Sequence, residues 1–360
     1  MAEIPLVNVK AQYERLIPQI QERMAEVLDS GQFILGPNVD AFETEAAALL
    51  GVPRTVSVAN GTDALVLALD AMEIGPGDEV ICPSFTFYAT AEAIARRGAT
   101  PVFADIDPVT LNLDPEDVAA RVTDRTRALM PVHLFGRVMP LEGLTELGIP
   151  IVEDAAQAFG AEGVATVGAL STFSFFPTKN LFALGDGGLV AANDEELADR
   201  VKLLRFHGSR EKTNFEAVGY NSRLDELQAA VLRLFLDELP GWNRSRRKAA
   251  ARYEELGLGE LCELPLDEPG HVYHLFVVRT PERDRLAEAL KAAGIGHAIY
   301  YSTPLHLQPA LRYLGWKEGS LPETEKAGAE NIALPMWSGI PAETQERVVS
   351  VIREAAAVRA

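Results

Sequence analysis

Short apolar runs alternate with helical stretches over the first part of the chain. Leu16, Ile17, Ile20, Met24, Val27 and Leu28 fall three to four residues apart within residues 11–30, and Gly31 ends the run. A second amphipathic helix is predicted over 39–50, closed by Gly51. Residues 55–59, 79–82, 101–104, 128–132 and 149–153 read as short buried strands, with helices expected at 63–72, 90–97 and 155–159. That alternation predicts an α/β layer fold around a mostly parallel sheet, which binds ligands outside the carboxyl ends of its strands. Further on, residues 223–239 and 244–256 are strongly helical, 272–280 and 296–301 are strand-like, and 282–293 and 343–357 are helical. The change of character predicts a large α/β domain over 1–242 and a smaller α+β domain over 243–360.

A chain of 360 residues with 48% hydrophobic content can bury a full core. No apolar run approaches the ~18 residues of a membrane helix. The N-terminal stretch also lacks a basic segment followed by an apolar one, so a cytoplasmic protein without a membrane partner is expected. The net charge of −19 argues against nucleic acid as a partner. It leaves room for a small phosphorylated ligand held by backbone N–H groups, hydroxyls and a few cations. Cys82 and Cys262 lie far apart, and His133, His207, His271, His274, His297 and His306 show no metal-ligand spacing, so no metal is expected. His274 and His306 read as packing or surface residues.

The stretch from Thr172 to Gly188 carries the most specific chemistry. Phe173, Phe175, Phe176 and Phe182 flank Lys179, and Gly185, Gly187 and Gly188 follow. An apolar setting lowers an amine's pKa, which is how a lysine becomes a nucleophile able to form a Schiff base. Asn60-Gly61-Thr62-Asp63 follows a strand and opens a helix, where free N–H groups, a close approach at Gly61 and the Thr62 hydroxyl suit a phosphate. Asp154 ends another strand, where a carboxylate can keep a ring nitrogen protonated, and Gln157 lies one expected helical turn further on. Phe87 can stack on an aromatic ligand, and Ser174 shortly precedes the lysine. Each has an ordinary use when taken alone: a surface lysine, an N-capped turn, a core phenylalanine, a surface glutamine, a sheet hydroxyl. Falling in order at strand ends, they make up the parts that pyridoxal 5'-phosphate requires.

Longer motifs accompany them. They are Ile34-Leu35-Gly36-Pro37, Ala59 through Ala64, Gly77-Asp78-Glu79-Val80 and Glu153-Asp154-Ala155-Ala156-Gln157. Ser174 through Asn180, Gly185 through Gly188 and Gly219-Tyr220-Asn221-Ser222-Arg223-Leu224-Asp225 complete the set. On these residues the chain resembles, over nearly its whole length, the sugar aminotransferases of the DegT/DnrJ/EryC1/StrS family, which share the type I fold of aspartate aminotransferase.

The resemblance implies that Lys179 carries pyridoxal phosphate and moves the proton between substrate and cofactor carbons. It implies Asp154 facing the pyridine nitrogen, Phe87 stacked on the ring and Gln157 against the ring or its phenolic oxygen. Gly61, Thr62 and Ser174 would hold the phosphate, and Asn221 would reach the phosphate of the neighbouring subunit in a homodimer with shared sites. Arg223 and Tyr301 match residues that touch the substrate across the dimer, although Arg223 also suits a helix cap and Tyr301 a core. The implied reaction takes an amino group, from a donor such as glutamate, to the keto group of a nucleotide-linked deoxysugar. The motifs name neither sugar nor nucleotide, nor C3 against C4. Two departures bear on substrate fit: the chain is shorter than most relatives between Gly160 and Gly168, where a basic turn is usual, and Phe182 and Leu184 stand where many have Gly and Tyr. A branch of dehydratases with histidine at the lysine position is disfavoured by Lys179. The basic residues Arg244, Arg246, Arg247 and Lys248 read as a solvated helix face more readily than as a nucleotide site. Two other functions remain open: an amino-acid aminotransferase or lyase, which needs a fixed arginine for the α-carboxylate, and a regulatory member without turnover.

Overall fold

A computed structural model describes residues 3–357; Met1 and Ala2 of the N-terminal stretch and the last three residues lie outside them. Helices α1 (Val9–Tyr13), α2 (Ile17–Ser30) and α3 (Pro37–Leu50) come first, and Gly31 and Gly51 stop α2 and α3 in left-handed conformations as expected. Strand β1 (Arg54–Val58), helix α4 (Gly61–Ala71), β2 (Glu79–Pro83), α5 (Ala89–Arg96) and β3 (Thr100–Ala104) follow. Then come α6 (Pro115–Ala120), β4 (Thr126–Leu129), the short α7 (Glu142–Thr145), β5 (Val152–Asp154), β6 (Leu170–Ser174), β7 (Gly188–Ala192) and α8 (Glu195–Leu204). The C-terminal part holds α9 (Glu226–Glu255), β8 (Phe276–Arg279), α10 (Arg283–Ala292), α11 (Pro322–Glu330), β9 (Asn331–Leu334) and α12 (Ala342–Ala357).

Strands β1, β7, β6 and β5 are hydrogen-bonded in that order, as are β3, β2 and β4. Parallel bridges Leu129–Ile151 and Val132–Asp154 join the two sets. The result is a seven-stranded sheet in the order β3-β2-β4-β5-β6-β7-β1, in which β7 runs against both neighbours and every other pairing is parallel. The expected mostly parallel α/β sheet is therefore present. Parallel β2, β5, β6 and β1 direct the chain after Pro83, Asp154, Ser174 and Val58 to one edge. Gly188, opening β7, pairs with both Val58 and Ser174 there. A Cβ on Gly188 would come within 2.3 Å of the Asn60 carbonyl oxygen, so no larger residue fits between these strand ends.

Four expected elements take another form. Residues 155–159 form turns instead of a helix, because Thr172 O accepts from Ala155 N–H at 2.9 Å and the Asp154 carboxylate accepts from Ala156 N–H at 3.2 Å. The helices expected at 223–239 and 244–256 are one, α9, running through Pro240. A proline inside a helix costs about 3 kcal/mol. Burial of Phe235, Leu236, Leu239, Trp242, Ala249, Ala250 and Tyr253 on α9 offsets it. Residues 296–301 meet the sheet only at the Ala298–Ala333 bridge, and the partner strand of β8 is β9.

The expected boundary between 242 and 243 falls inside α9, so the two parts share a helix. They also share a core: Phe85, Ile106 and Val132 pack in one cluster with Leu275, Val277 and Ala333. The segment after the N-terminus crosses to the C-terminal part, where Ile4 bridges Ile295 and Met336 N–H donates to Leu6 O at 3.0 Å.

Candidate active site

Lys179 lies in the loop between β6 and β7. Phe175 N–H donates to Gly187 O at 2.8 Å, Ala183 N–H to Phe175 O at 2.7 Å and Lys179 N–H to Phe176 O at 2.8 Å, folding the loop back on itself. The next residue pins it: Asn180 Nδ2 donates to Asn243 Oδ1 on α9 at 2.8 Å and to Val272 O at 2.9 Å. Phe173, Phe175 and Phe182 belong to a buried cluster with Phe42, Phe159, Phe235 and Trp242. Phe176 is 51% exposed, so three of the four flanking phenylalanines are core residues and the fourth is not. Burial lowers the Lys179 amine to about 8, against the opposing pull of the Asp154 charge. Among the described residues the amine has no ion-pair or hydrogen-bond partner.

Asp154 ends β5 and is buried. Thr90 Oγ1 on α5 donates to its Oδ2 at 2.8 Å, and Ala156 N–H donates to Oδ1 at 3.2 Å. Burial still holds the carboxyl above its ordinary range, against the lowering effect of Thr90, Ala156, Lys179 and His133. A buried carboxylate in that condition favours a cation placed against it. Behind it, the buried Glu153 accepts from His133 Nε2 at 2.7 Å, Ala165 N–H at 3.0 Å and Gly168 N–H at 2.6 Å. Those bonds outweigh burial and keep Glu153 below the usual carboxylate range. Met139 N–H donates to His133 Nδ1 at 3.1 Å, which leaves the ring proton on Nε2, facing Glu153.

Asn60 caps α4 with its Oδ1, which accepts from Asp63 N–H at 2.8 Å. Gly61 at the first turn lies so close to Ser174 that a Cβ there would come within 2.7 Å of the serine Cβ. Helix start, glycine and hydroxyl thus form a cradle of donors at the sheet edge, with Thr62 beside it, and it fits a phosphate group. Together with an unpartnered amine and a buried carboxylate, the residues present fit pyridoxal phosphate.

Gln157 is not on a helix; it is placed by its own bonds. Its Oε1 accepts from Phe135 N–H at 2.6 Å, and its Nε2 donates to Tyr301 OH at 3.1 Å. Tyr301 therefore stands beside Gln157 of its own chain, with its ring centroid 6.5 Å from that of Phe87 and 6.0 Å from that of Phe85. Phe87 is 60% exposed, its ring tilted 41° from that of Tyr301. Asn221 is exposed, and its Oδ1 accepts from Arg223, whose guanidinium also lies over the Phe206 ring, 5.7 Å from its centroid. The structure thus brings Lys179, Asp154, Gly61, Ser174, Gln157, Tyr301 and Phe87 to one edge, with Asn221 and Arg223 on a neighbouring exposed loop. Arg223 does not cap a helix; the N-cap of α9 is Asp225.

Several groups here were not picked out from the sequence. Thr86 sits in the turn after β2, a strand-end position like the others, and Thr90 in the first turn of α5 that follows it. His133 follows β4 in the same way. His274 had no such signal: it is buried, its Nδ1 has no partner, and burial with the Lys179 and Arg246 charges holds it well below the ordinary histidine range. Arg246 is buried and bonds to Tyr273 O, His274 O and Gln12 Oε1, so it is no solvated face. Among the described residues no group of His, Cys, Asp and Glu is placed to hold a metal ion, and no helix is long and apolar enough to cross a membrane.

The sequence profile of the DegT/DnrJ/EryC1/StrS aminotransferase family matches residues 14–353. The chain belongs to that family. It is 46% identical to a pleiotropic regulatory protein of Geobacillus stearothermophilus, over 98% of this chain and 98% of that one. It is 44% identical to the dTDP-3-amino-3,4,6-trideoxy-alpha-D-glucose transaminase of Streptomyces venezuelae, over 98% of this chain and 96% of the other. The crystal structure of S. venezuelae DesV in complex with a ketimine intermediate superposes with a TM-score of 0.95 at 44% identity, covering 99% of each chain. The aminotransferase has the type I fold and is a pyridoxal phosphate enzyme, as its family is.

Proposed function

We propose that this aminotransferase takes an amino group from glutamate and places it at C3 of a nucleotide-linked keto deoxysugar, in the cytoplasm and as a homodimer. The observation that carries the reading is Lys179: a sheltered, unpartnered amine lowered to about 8, opposite a buried carboxylate. An amine near neutrality can both attack and carry a proton, and proton transfer by a placed group contributes about 10²–10⁴-fold. The name of the Streptomyces relative supports the nucleotide sugar and C3.

Bound pyridoxal phosphate would supply the electron sink and hold the amino group between donor and acceptor. The chain's own residues do the rest. Lys179 would hold the cofactor and move one proton in the reaction. Asp154 would serve the ring nitrogen and Phe87 would cover the ring, and Gln157, its amide fixed by Phe135 N–H and its Nε2 donating to Tyr301 OH, would lie against the ring. Gly61, Thr62 and Ser174 would bind the phosphate, Asn221 would reach that of the partner subunit, and Arg223 and Tyr301 would meet the sugar substrate. Residues up to 242 would make up the cofactor-binding part and those from 243 onward the smaller part, the two joined by α9.

One observation weighs against a regulator without turnover: such a protein has no need for a sheltered amine without a partner, which costs stability. The test loads the protein with pyridoxamine phosphate and offers a panel of 3-keto and 4-keto sugar nucleotides, with product read by mass spectrometry. Amino sugar from the 3-keto members supports the reading; turnover of α-keto acids alone contradicts it.

A further inference from the structure

The turn after β2 and the start of α5 hold two buried hydroxyls whose direction can be worked out. Thr90 Oγ1 lies 2.8 Å from Asp154 Oδ2, and Thr86 Oγ1 lies 3.2 Å from Thr90 Oγ1. Thr90 is fully buried and Thr86 is 1% exposed, so water does not compete for them. An ionised carboxylate only accepts, which commits the single proton of Thr90 to Asp154. Thr86 must then be the donor to Thr90. The chain of hydroxyls runs one way, each bond polarising the next.

We propose that Thr90, fed by Thr86, is a positioning residue for the reaction, locking the Asp154 carboxylate in the orientation that meets the cofactor's ring nitrogen. The proposal rests on the reading of Asp154 given above. Among the described residues two donors fix the carboxylate, one on each oxygen, and of these Thr90 is the side chain. The same turn carries Phe87, whose carbonyl accepts from Thr90 N–H at 3.2 Å, so ring cover and ring-nitrogen partner hang on one short segment. The titratable groups that act on Asp154 come from every side: Cys82 on β2, His133 after β4, Lys179 after β6, and Tyr301. Lys179, His133 and Thr90 favour the ionised form against burial, so removing Thr90 leaves the burial less opposed.

The test uses the cofactor-loaded protein with Thr90→Val, Thr90→Ser and Thr86→Val. Two readouts do not depend on turnover: the ¹⁵N NMR signal of cofactor labelled at the ring nitrogen, and cofactor retention in equilibrium dialysis. Thr90→Val is expected to keep cofactor on Lys179 but to hold it about tenfold less tightly, the scale of one hydrogen bond to a charged group. Its ring-nitrogen signal moves toward the unprotonated position, Thr90→Ser restores both, and Thr86→Val shows a smaller shift of the same sign. A Thr90→Val protein with wild-type signal and retention overturns the proposal. If that variant does not fold, an unchanged signal in Thr86→Val overturns it instead. Unmodified protein that carries no cofactor on Lys179 would overturn the reading of the site first, and that result is seen before any variant is made.

Discussion

At the residue scale, Lys179 has a pH signature that follows from its burial. Its amine is lowered from 10.5 to about 8 in the folded chain. Below about pH 8 the folded chain therefore carries a half-buried ammonium. Between about 8 and 10.5 it has released the proton while the unfolded chain keeps it, so the unfolded state binds more protons and stability rises with pH. Cofactor-free protein is expected to gain stability relative to Lys179→Met across that window. The gain is at most about 3 kcal/mol, less whatever the water of the cleft screens. Denaturant titrations at pH 7.5 and pH 10.5 check the sign, where pH 10.5 is the amine's ordinary value. The identities of Lys179, Asp154 and Gly61 were legible because each stands where a strand ends. Thr90 and His274 were not, since a hydroxyl or imidazole acquires its role only from the atoms facing it across the fold.

At the scale of elements, the start of α4 and the start of α3 each depend on one fitted residue. Gly61→Ala puts a methyl group within 2.7 Å of the Ser174 Cβ. Forced overpacking costs about 1–3 kcal/mol, which should appear as cofactor retention weakened roughly fivefold or more while far-UV circular dichroism is unchanged. At α3, the buried Glu226 of α9 accepts from Gly36 N–H at 2.9 Å, Asn38 N–H at 3.0 Å and Val39 N–H at 2.8 Å. Glu226→Ala leaves these donors unsatisfied and is expected to cost about 2–4 kcal/mol, measured as a lower urea midpoint. Helix stops were readable where glycine follows a periodic run, as at Gly31 and Gly51. The continuity of α9 through Pro240 was not, because the compensating contact is tertiary: the Trp242 ring stacks on Phe182 at 5.7 Å. The turns at 155–159 were hidden for a similar reason, since the Thr172 carbonyl that captures Ala155 belongs to another strand.

At the scale of the whole molecule, the order of strands follows from pairings that no single segment encodes; β9 in particular pairs with β8 across α10 and α11. The shared-site homodimer has its own test. Lys179→Ala and Asn221→Ala chains, each inactive, are co-expressed and mixed dimers isolated. If Asn221 serves the partner's site, one site in each mixed dimer is intact and about half of wild-type activity per dimer returns; if it serves its own chain, nothing returns. Beneath all of this lies the covalent attachment of pyridoxal phosphate to one lysine. Borohydride reduction of the loaded protein followed by peptide mapping tests it most directly: the reduced adduct is expected on the peptide containing Lys179 and to vanish in Lys179→Ala, whereas an adduct on a different lysine, or none, contradicts the account.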